Sequence, residues 1–301
     1  MHPDLINLEK TFQPSTLTKI DDPLLAAFSI ELWMKRDDLL HPIISGNKWR
    51  KLKYCLNHAL TLNADTIISM GGMYSNHLHA LAYTGHILGL KTQGFIRGQQ
   101  PSVLTPTLID IQNWGMKLSF ISRSEYRTLR QYKAPQALPN IKPNEYWLPE
   151  GGAQVFALKG VAELVNEIDI AYDTLCVPCG TGTTLAGIIN AAPSQVNLLG
   201  FAALKNAGFL ETDVKELIAR PGNHWDIKLN YHLGGFAKTT ADLLSFISNF
   251  ENKTGIILEP VYTGKMMYGL YDLIKKHTFK PDQRLIAIHT GGLQGNRGFI
   301  V

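Results

Sequence analysis

Four glycine-bearing loops hold the residues whose types and spacing could do chemistry. Ser45-Gly46-Asn47-Lys48 opens a basic stretch, Trp49-Arg50-Lys51-Leu52. A lysine in the first turn of a helix sits at the positive end of the dipole, which helps to lower its pKa and suits a nucleophile or base. A solvated basic first turn, shared with Arg50, Lys51 and Lys53, explains the tetrapeptide equally simply. Gly71-Gly72-Met73-Tyr74-Ser75-Asn76-His77 follows an apolar run. Ser75 and Asn76 are N-cap types, and the amides that they leave could hold a carboxylate or phosphate. Cys179-Gly180-Thr181-Gly182-Thr183-Thr184-Leu185 combines glycines and hydroxyls around exposed amides, an anion cradle. Leu185 stands where a dinucleotide fingerprint needs its third glycine, and the next apolar run ends without a ribose-gripping acid. A phosphate without a nucleoside fits this loop best. His289-Thr290-Gly291-Gly292 closes the last apolar run, and by itself reads as a turn.

Two further motifs need weighing. Glu259-Pro260-Val261-Tyr262-Thr263-Gly264-Lys265 carries a tyrosine hydroxyl able to serve as an acid, although packing is the commoner use of such a ring. Cys176 and Cys179 form a lone C-x-x-C with Cys176 inside a strand-like run. A redox pair belongs at a helix start, and a zinc site needs two more ligands, so buried apolar thiols are the better reading and no metal is expected.

The elements that must position these loops alternate along the whole chain. Strand-like runs lie at residues 32–35, 66–70, 94–97, 118–121, 146–148, 174–177, 198–202, 256–258 and 285–288. Helix-like stretches lie at 48–60, 76–88, 158–168, 184–191, 240–250 and 266–276. In one of them Leu158, Val161, Leu164, Val165 and Ile168 keep the three-four spacing of a buried face. Such alternation predicts an α/β fold of parallel-rich sheets with helices on both faces, and ligands there bind at loops beyond the strand ends. A lysine, a phosphate cradle and glycine-rich loops at strand ends suggest pyridoxal 5'-phosphate, the lysine holding it covalently and the cradle taking its phosphate.

The ordered series Met34-Lys35-Arg36-Asp37-Asp38-Leu39, SGNK, GGMYSNH, PEGG (149–152), CGTGTTLAG, PVYTGK and HTGG spans residues 34 to 292. It resembles the D-cysteine desulfhydrase / 1-aminocyclopropane-1-carboxylate (ACC) deaminase family, a branch of the fold type II, tryptophan-synthase-β-like pyridoxal phosphate enzymes. The resemblance implies two open twisted parallel-rich sheets. It also implies a large domain of residues 1–49 and 151–301, with a small domain of 50–150 closing over the active-site cleft. By the same resemblance Lys48 binds the cofactor and moves the Cα proton, and Asn76 hydrogen-bonds the cofactor's phenolic oxygen. Ser75, with the amides of Asn76 and His77, clamps the substrate carboxylate. Gly180, Thr181, Gly182, Thr183 and Thr184 hold the phosphate, Thr290 faces the pyridine nitrogen, and Tyr262 sits over the substrate side chain. ACC deaminases of this pattern carry Glu after the PVY tyrosine and Leu before the final Gly-Gly, where this chain has Thr263 and Thr290. A neutral hydroxyl by the ring nitrogen makes a weaker electron sink. β-Elimination tolerates that better than cyclopropane opening does, so D-cysteine is the expected substrate. Ala153-Gln154 and His41-Pro42 depart from the pattern. The alternatives are ACC or another small D-amino acid, such as D-serine or β-chloro-D-alanine, and a protein that binds the cofactor without turnover.

Composition bounds the rest. The 301 residues are 45% hydrophobic and 18% charged, enough for a buried core. The net charge of +4 comes from 29 basic and 25 acidic residues with no basic tract, which points to anionic small molecules and not to nucleic acid, and the resemblance implies a small amino-acid substrate. No apolar run approaches the roughly 18 residues of a spanning helix, and the N-terminus lacks an apolar signal core. Neither a membrane nor a disulfide framework is expected, the expected location is cytoplasmic, and a homodimer is what the resemblance implies.

Overall fold

A computed structural model describes residues 1–219 and 222–299. Ten strands are described: β1 (Leu17–Lys19), β2 (Glu31–Lys35), β3 (Thr66–Gly71), β4 (Lys91–Arg97), β5 (Lys117–Ile121), β6 (Glu145–Leu148), β7 (Thr174–Cys179), β8 (Asn197–Ala202), β9 (Trp225–Lys228) and β10 (Arg284–Ile288). They form two open sheets. One has the order β1-β2-β10-β7-β8-β9 and is parallel except for β1; the other has the order β5-β4-β3-β6 and is parallel throughout. Helices connect the strands and cover the sheets on both sides, the expected class. The central strands are buried along nearly their whole length, as parallel strands covered on both faces must be.

The chain divides into two compact units. One comprises Met1–Gln13, Leu40–Gly160 and the described residues from Gln294, and contains the four-stranded sheet. The other comprises Pro14–Leu39 and Val161–Leu293, and contains the six-stranded sheet. The sequence expectation put the boundaries at 49/50 and 150/151; these units divide at 13/14, 39/40, 160/161 and 293/294, the third inside the helix Val155–Asn166. The physical reason lies in the helix Asn47–Thr61. Its apolar stripe of Trp49, Leu52, Cys55, Leu56 and Ala59 is buried in one core with Ile67, Leu78, Tyr146 and Leu148. Fully burying such a side chain contributes about 1.5–3 kcal/mol, so the helix goes with the sheet it covers and takes Lys48 with it. The second core joins Leu32, Met34, Leu285 and Ala287 of the larger sheet with Met266, Met267 and Leu270 of the helix Thr263–Lys275.

One expected strand is absent. Residues 256–258 bury Ile256 and Leu258 and leave Ile257 44% exposed, the alternation of a strand, yet they join neither sheet. Among the described residues, no helix is long and apolar enough to cross a membrane.

Candidate active site

In the unit with the smaller sheet, Lys48 is the second residue of the helix Asn47–Thr61, whose N-cap is Gly46 and whose start no side chain caps. Lys48 itself is half-buried. Its basic neighbours are not a solvated first turn: Arg50, Lys51 and Lys53 are 4%, 3% and 8% exposed. Lys51 reaches the carbonyl of Gly151, and Lys53 pairs with Glu9 at 2.6 Å. Burying cations costs free energy unless each is paired, and these contacts offset that cost for Lys51 and Lys53.

The loop after β3 supplies the next group. Ser75 is the N-cap of the helix Asn76–Leu88 and accepts from the Leu78 amide at 3.2 Å. Gly71 permits this, since a Cβ there would run into the Ser75 side chain. Asn76 is half-buried at the first helical position, and His77 is 3% exposed. The Ser69 hydroxyl donates to the Leu148 carbonyl at 2.6 Å, so its oxygen must accept from His77 Nε2 at 2.8 Å. That fixes His77 as the Nε2–H tautomer. Burial, with the Lys48 and Lys51 charges, pushes its pKa well below the ordinary value and keeps the ring neutral. Its Nδ1 lone pair has no hydrogen-bond partner among the described residues. Gly152, at the end of β6, lies against the same ring: a Cβ there would stand 3.5 Å from both His77 Cε1 and Lys51 Cβ. His77 and Gly152 therefore meet because β3 and β6 are parallel neighbours whose ends lie at one edge, and the helix Asn47–Thr61 brings Lys51 against Gly152. The two departures from the motif pattern are structural. Gln154 donates to the Trp147 carbonyl and accepts from the Tyr146 hydroxyl, while His41 Nδ1 accepts from the amides of Ile43 and Ile44.

In the other unit β2, β10 and β7 are adjacent and parallel, so the loops after β7 and β10 leave the same edge. Gly182 caps the helix Thr183–Ala191 with φ 72°, a left-handed backbone that favours glycine. No side chain caps this helix, and the Thr181 and Thr183 hydroxyls stand 3.0 Å apart at its start. Tyr262 faces the same loop, because a Cβ on Gly180 would come within 3.3 Å of its hydroxyl. Its backbone is set by Glu259, whose buried carboxylate accepts from the amides of Val261, Tyr262 and Thr263. Burial raises the Glu259 pKa, and these amides oppose the rise. Thr263 is fully buried and shares a hydroxyl contact with Glu259, so it belongs to this loop's own network. Thr290 is 7% exposed just beyond β10. The preceding His289 donates to the Ile257 carbonyl and accepts from the Gly291 amide, which holds the turn. Cys176 and Cys179 are buried and unbridged, and burial pushes the Cys176 thiol up.

Both sets fit the expected cofactor. A helix start left without a side-chain cap, with two hydroxyls beside it, suits a phosphate. A half-buried lysine at an uncapped helix start, with an orphaned buried imidazole nitrogen in the same unit, suits a bound polar group. Among the described residues no cluster of three or more His, Cys, Asp or Glu could hold a metal ion. Reading the sequence missed Ser69, Lys51, Glu259 and Gln294. Glu259 left a signal, an acid just before the start of a helix. Ser69 sits inside an apolar run, and Gln294 bears on Asn76 across 218 residues of chain.

Comparison with known proteins gives four findings. A family model described as "Pyridoxal-phosphate dependent enzyme" matches residues 16–291. The mitochondrial bifunctional D-cysteine desulfhydrase/1-aminocyclopropane-1-carboxylate deaminase of Arabidopsis thaliana is 31% identical over 297 residues, covering 88% of this chain and 73% of that protein. The D-cysteine desulfhydrase of Yersinia enterocolitica is 26% identical, covering 87% of this chain and 86% of its own length. Among solved structures, an ACC deaminase homologue matches with TM-score 0.79 and 26% identity, over 98% of this chain and 97% of that one.

Proposed function

The chain belongs to the pyridoxal-phosphate dependent enzymes, and on that premise we propose that it is a carbon–sulfur lyase that converts D-cysteine and water to pyruvate, ammonia and sulfide. Pyridoxal phosphate, when bound, supplies an electron sink for the charge left as the Cα proton departs. Lys48 would hold the cofactor, and its side-chain amine would take the Cα proton. Ser75 and the amides of Asn76 and His77 hold the substrate carboxylate, so that the Cα–H bond is presented to Lys48. The Asn76 side chain would donate to the cofactor's phenolic oxygen. Gly180, Thr181, Gly182, Thr183 and Thr184 would hold the phosphate, and the Thr290 hydroxyl would stand by the ring nitrogen. The Tyr262 hydroxyl protonates the sulfur as the Cβ–S bond breaks.

The observation that carries desulfhydration over ring opening is the neutral hydroxyl at Thr290, together with Thr263 where ACC deaminases of this pattern carry Glu. ACC deamination is the second reading, favoured by the 31% identity to a relative that bears both names. The three buried, unbridged cysteines suit a reducing compartment, and a cytoplasmic homodimer completes the proposal.

Borohydride reduction of the loaded enzyme should fix the cofactor's mass on the peptide containing Lys48. Lys48→Ala should abolish both that adduct and D-cysteine turnover. An adduct on another lysine, or turnover retained by Lys48→Ala, would remove Lys48 from its role.

A further inference from the structure

The orientation of the Asn76 side chain is set by a residue 218 positions away. Gln294, in the 3-10 turn Leu293–Gly298, takes two donors on its side-chain oxygen: the Thr107 hydroxyl at 2.6 Å and Arg297 Nη2 at 3.2 Å. A guanidinium only donates, so the Gln294 atom it touches must be the oxygen, Oε1. The Nε2 end then faces the other way with two hydrogens, one toward Asn76 Oδ1 at 2.6 Å and one toward the Tyr74 carbonyl at 3.4 Å. Asn76 thus accepts through its oxygen and keeps Nδ2 as the end turned away from Gln294. Arg297 is itself anchored: its Nη2 also donates to Asp110, and its Nε donates to the Gln294 carbonyl at 3.1 Å. Asp110 in turn accepts from His79 on the Asn76–Leu88 helix at 3.1 Å. The Asp110 carboxylate is held below the usual range by Arg297 and His79, so it stays charged and keeps the arginine in place.

We propose that Gln294 is a positioning residue that turns the Asn76 side chain so that its Nδ2 donates to the cofactor's phenolic oxygen. This deepens the reading given above, that Asn76 makes that contact, and rests on it. Reversing the Asn76 amide would put an oxygen against the phenolic oxygen and replace attraction with repulsion. Arg297, anchored by Asp110, prevents the reversal by forbidding the reversal of Gln294.

Gln294→Glu tests this. Glutamate keeps the Arg297 and Thr107 contacts but offers Asn76 an acceptor, so the asparagine must turn its Nδ2 inward. The dissociation constant of pyridoxal phosphate should rise about tenfold, the scale of one good hydrogen bond to a charged group. The pH midpoint of the bound cofactor's absorbance should shift as well. Asn76→Ala should weaken binding similarly, and Gln294→Glu placed on that background should add nothing. Gln294→Met, which keeps the length but drops both polar ends, should fall between wild type and Gln294→Glu, and it serves if the glutamate variant does not fold. Wild-type cofactor affinity and midpoint in Gln294→Glu and Gln294→Met, with Asn76→Ala impaired, would overturn the role of Gln294 alone. An equal further loss on the Asn76→Ala background would also overturn it. Wild-type binding by Asn76→Ala would instead sink the contact on which the inference rests.

Discussion

Tyr262 is held at its backbone and at its ring by different parts of one unit. The Glu259 carboxylate takes its amide at 2.8 Å, Gly180 leaves room for the ring edge, and Phe236 meets it edge-on at 6.0 Å. Removing only the hydroxyl should therefore leave the ring in place. Tyr262→Phe is expected to lower kcat for D-cysteine by about 100-fold or more, the usual scale of a lost general acid, while cofactor absorbance and Tm stay at wild-type values. An unchanged kcat would mean that sulfur leaves without this hydroxyl. At this scale the sequence was readable where a residue acts through its own segment. Ser75 caps the helix that begins beside it, and Lys48 opens the helix that follows it. The His77 side chain was not readable, because its buried tautomer depends on Ser69 and Leu148, which β3 and β6 bring together. Gln294 left no local mark at all.

The loop of residues 233–237 and the helix Thr263–Lys275 are joined by a buried lysine. Leu233, Gly234, Gly235 and Ala237 all have positive φ, and Lys265 Nζ donates to the Gly235 carbonyl at 2.6 Å. Burial lowers the Lys265 pKa from its ordinary 10.5 to about 8, against the opposing charge of Glu259. Between these two values the unfolded chain binds more protons at this site than the folded one, so the site's contribution to stability rises with pH. Lys265→Met removes that titration. Denaturant unfolding at fixed pH should show the wild type gaining on the order of 2 kcal/mol relative to Lys265→Met from pH 8 to pH 10.5. A constant difference across that window would contradict the burial argument. Most helices and strands with a full apolar stripe, such as Asn47–Thr61, Asn76–Leu88 and β7, were legible because period and burial agree. Residues 256–258 misled because alternate burial needs no ladder, and β9 and the helix Phe209–Lys215 were missed because they are short.

At the scale of the molecule, fold class follows from the β-α alternation and the division into units does not. The leading segment 1–13 and the residues from Gln294 join the smaller sheet's unit although they lie at opposite ends of the chain. Nothing in their composition announces this; it rests on contacts such as Trp49 with Glu9 and Asn76 with Gln294. Lys48 lies at a helix start in whichever unit it is counted. Substrate choice is the part that sequence and fold constrain least, because it turns on a few hydroxyls at strand ends. The decisive measurement is sulfide release from the purified, cofactor-loaded enzyme given D-cysteine, with L-cysteine and ACC run in parallel. Sulfide from D-cysteine, none from L-cysteine, and little or no ammonia from ACC is the expected result. Ammonia from ACC without sulfide from D-cysteine, or no turnover of D-cysteine by enzyme that holds its cofactor, would contradict the proposed lyase.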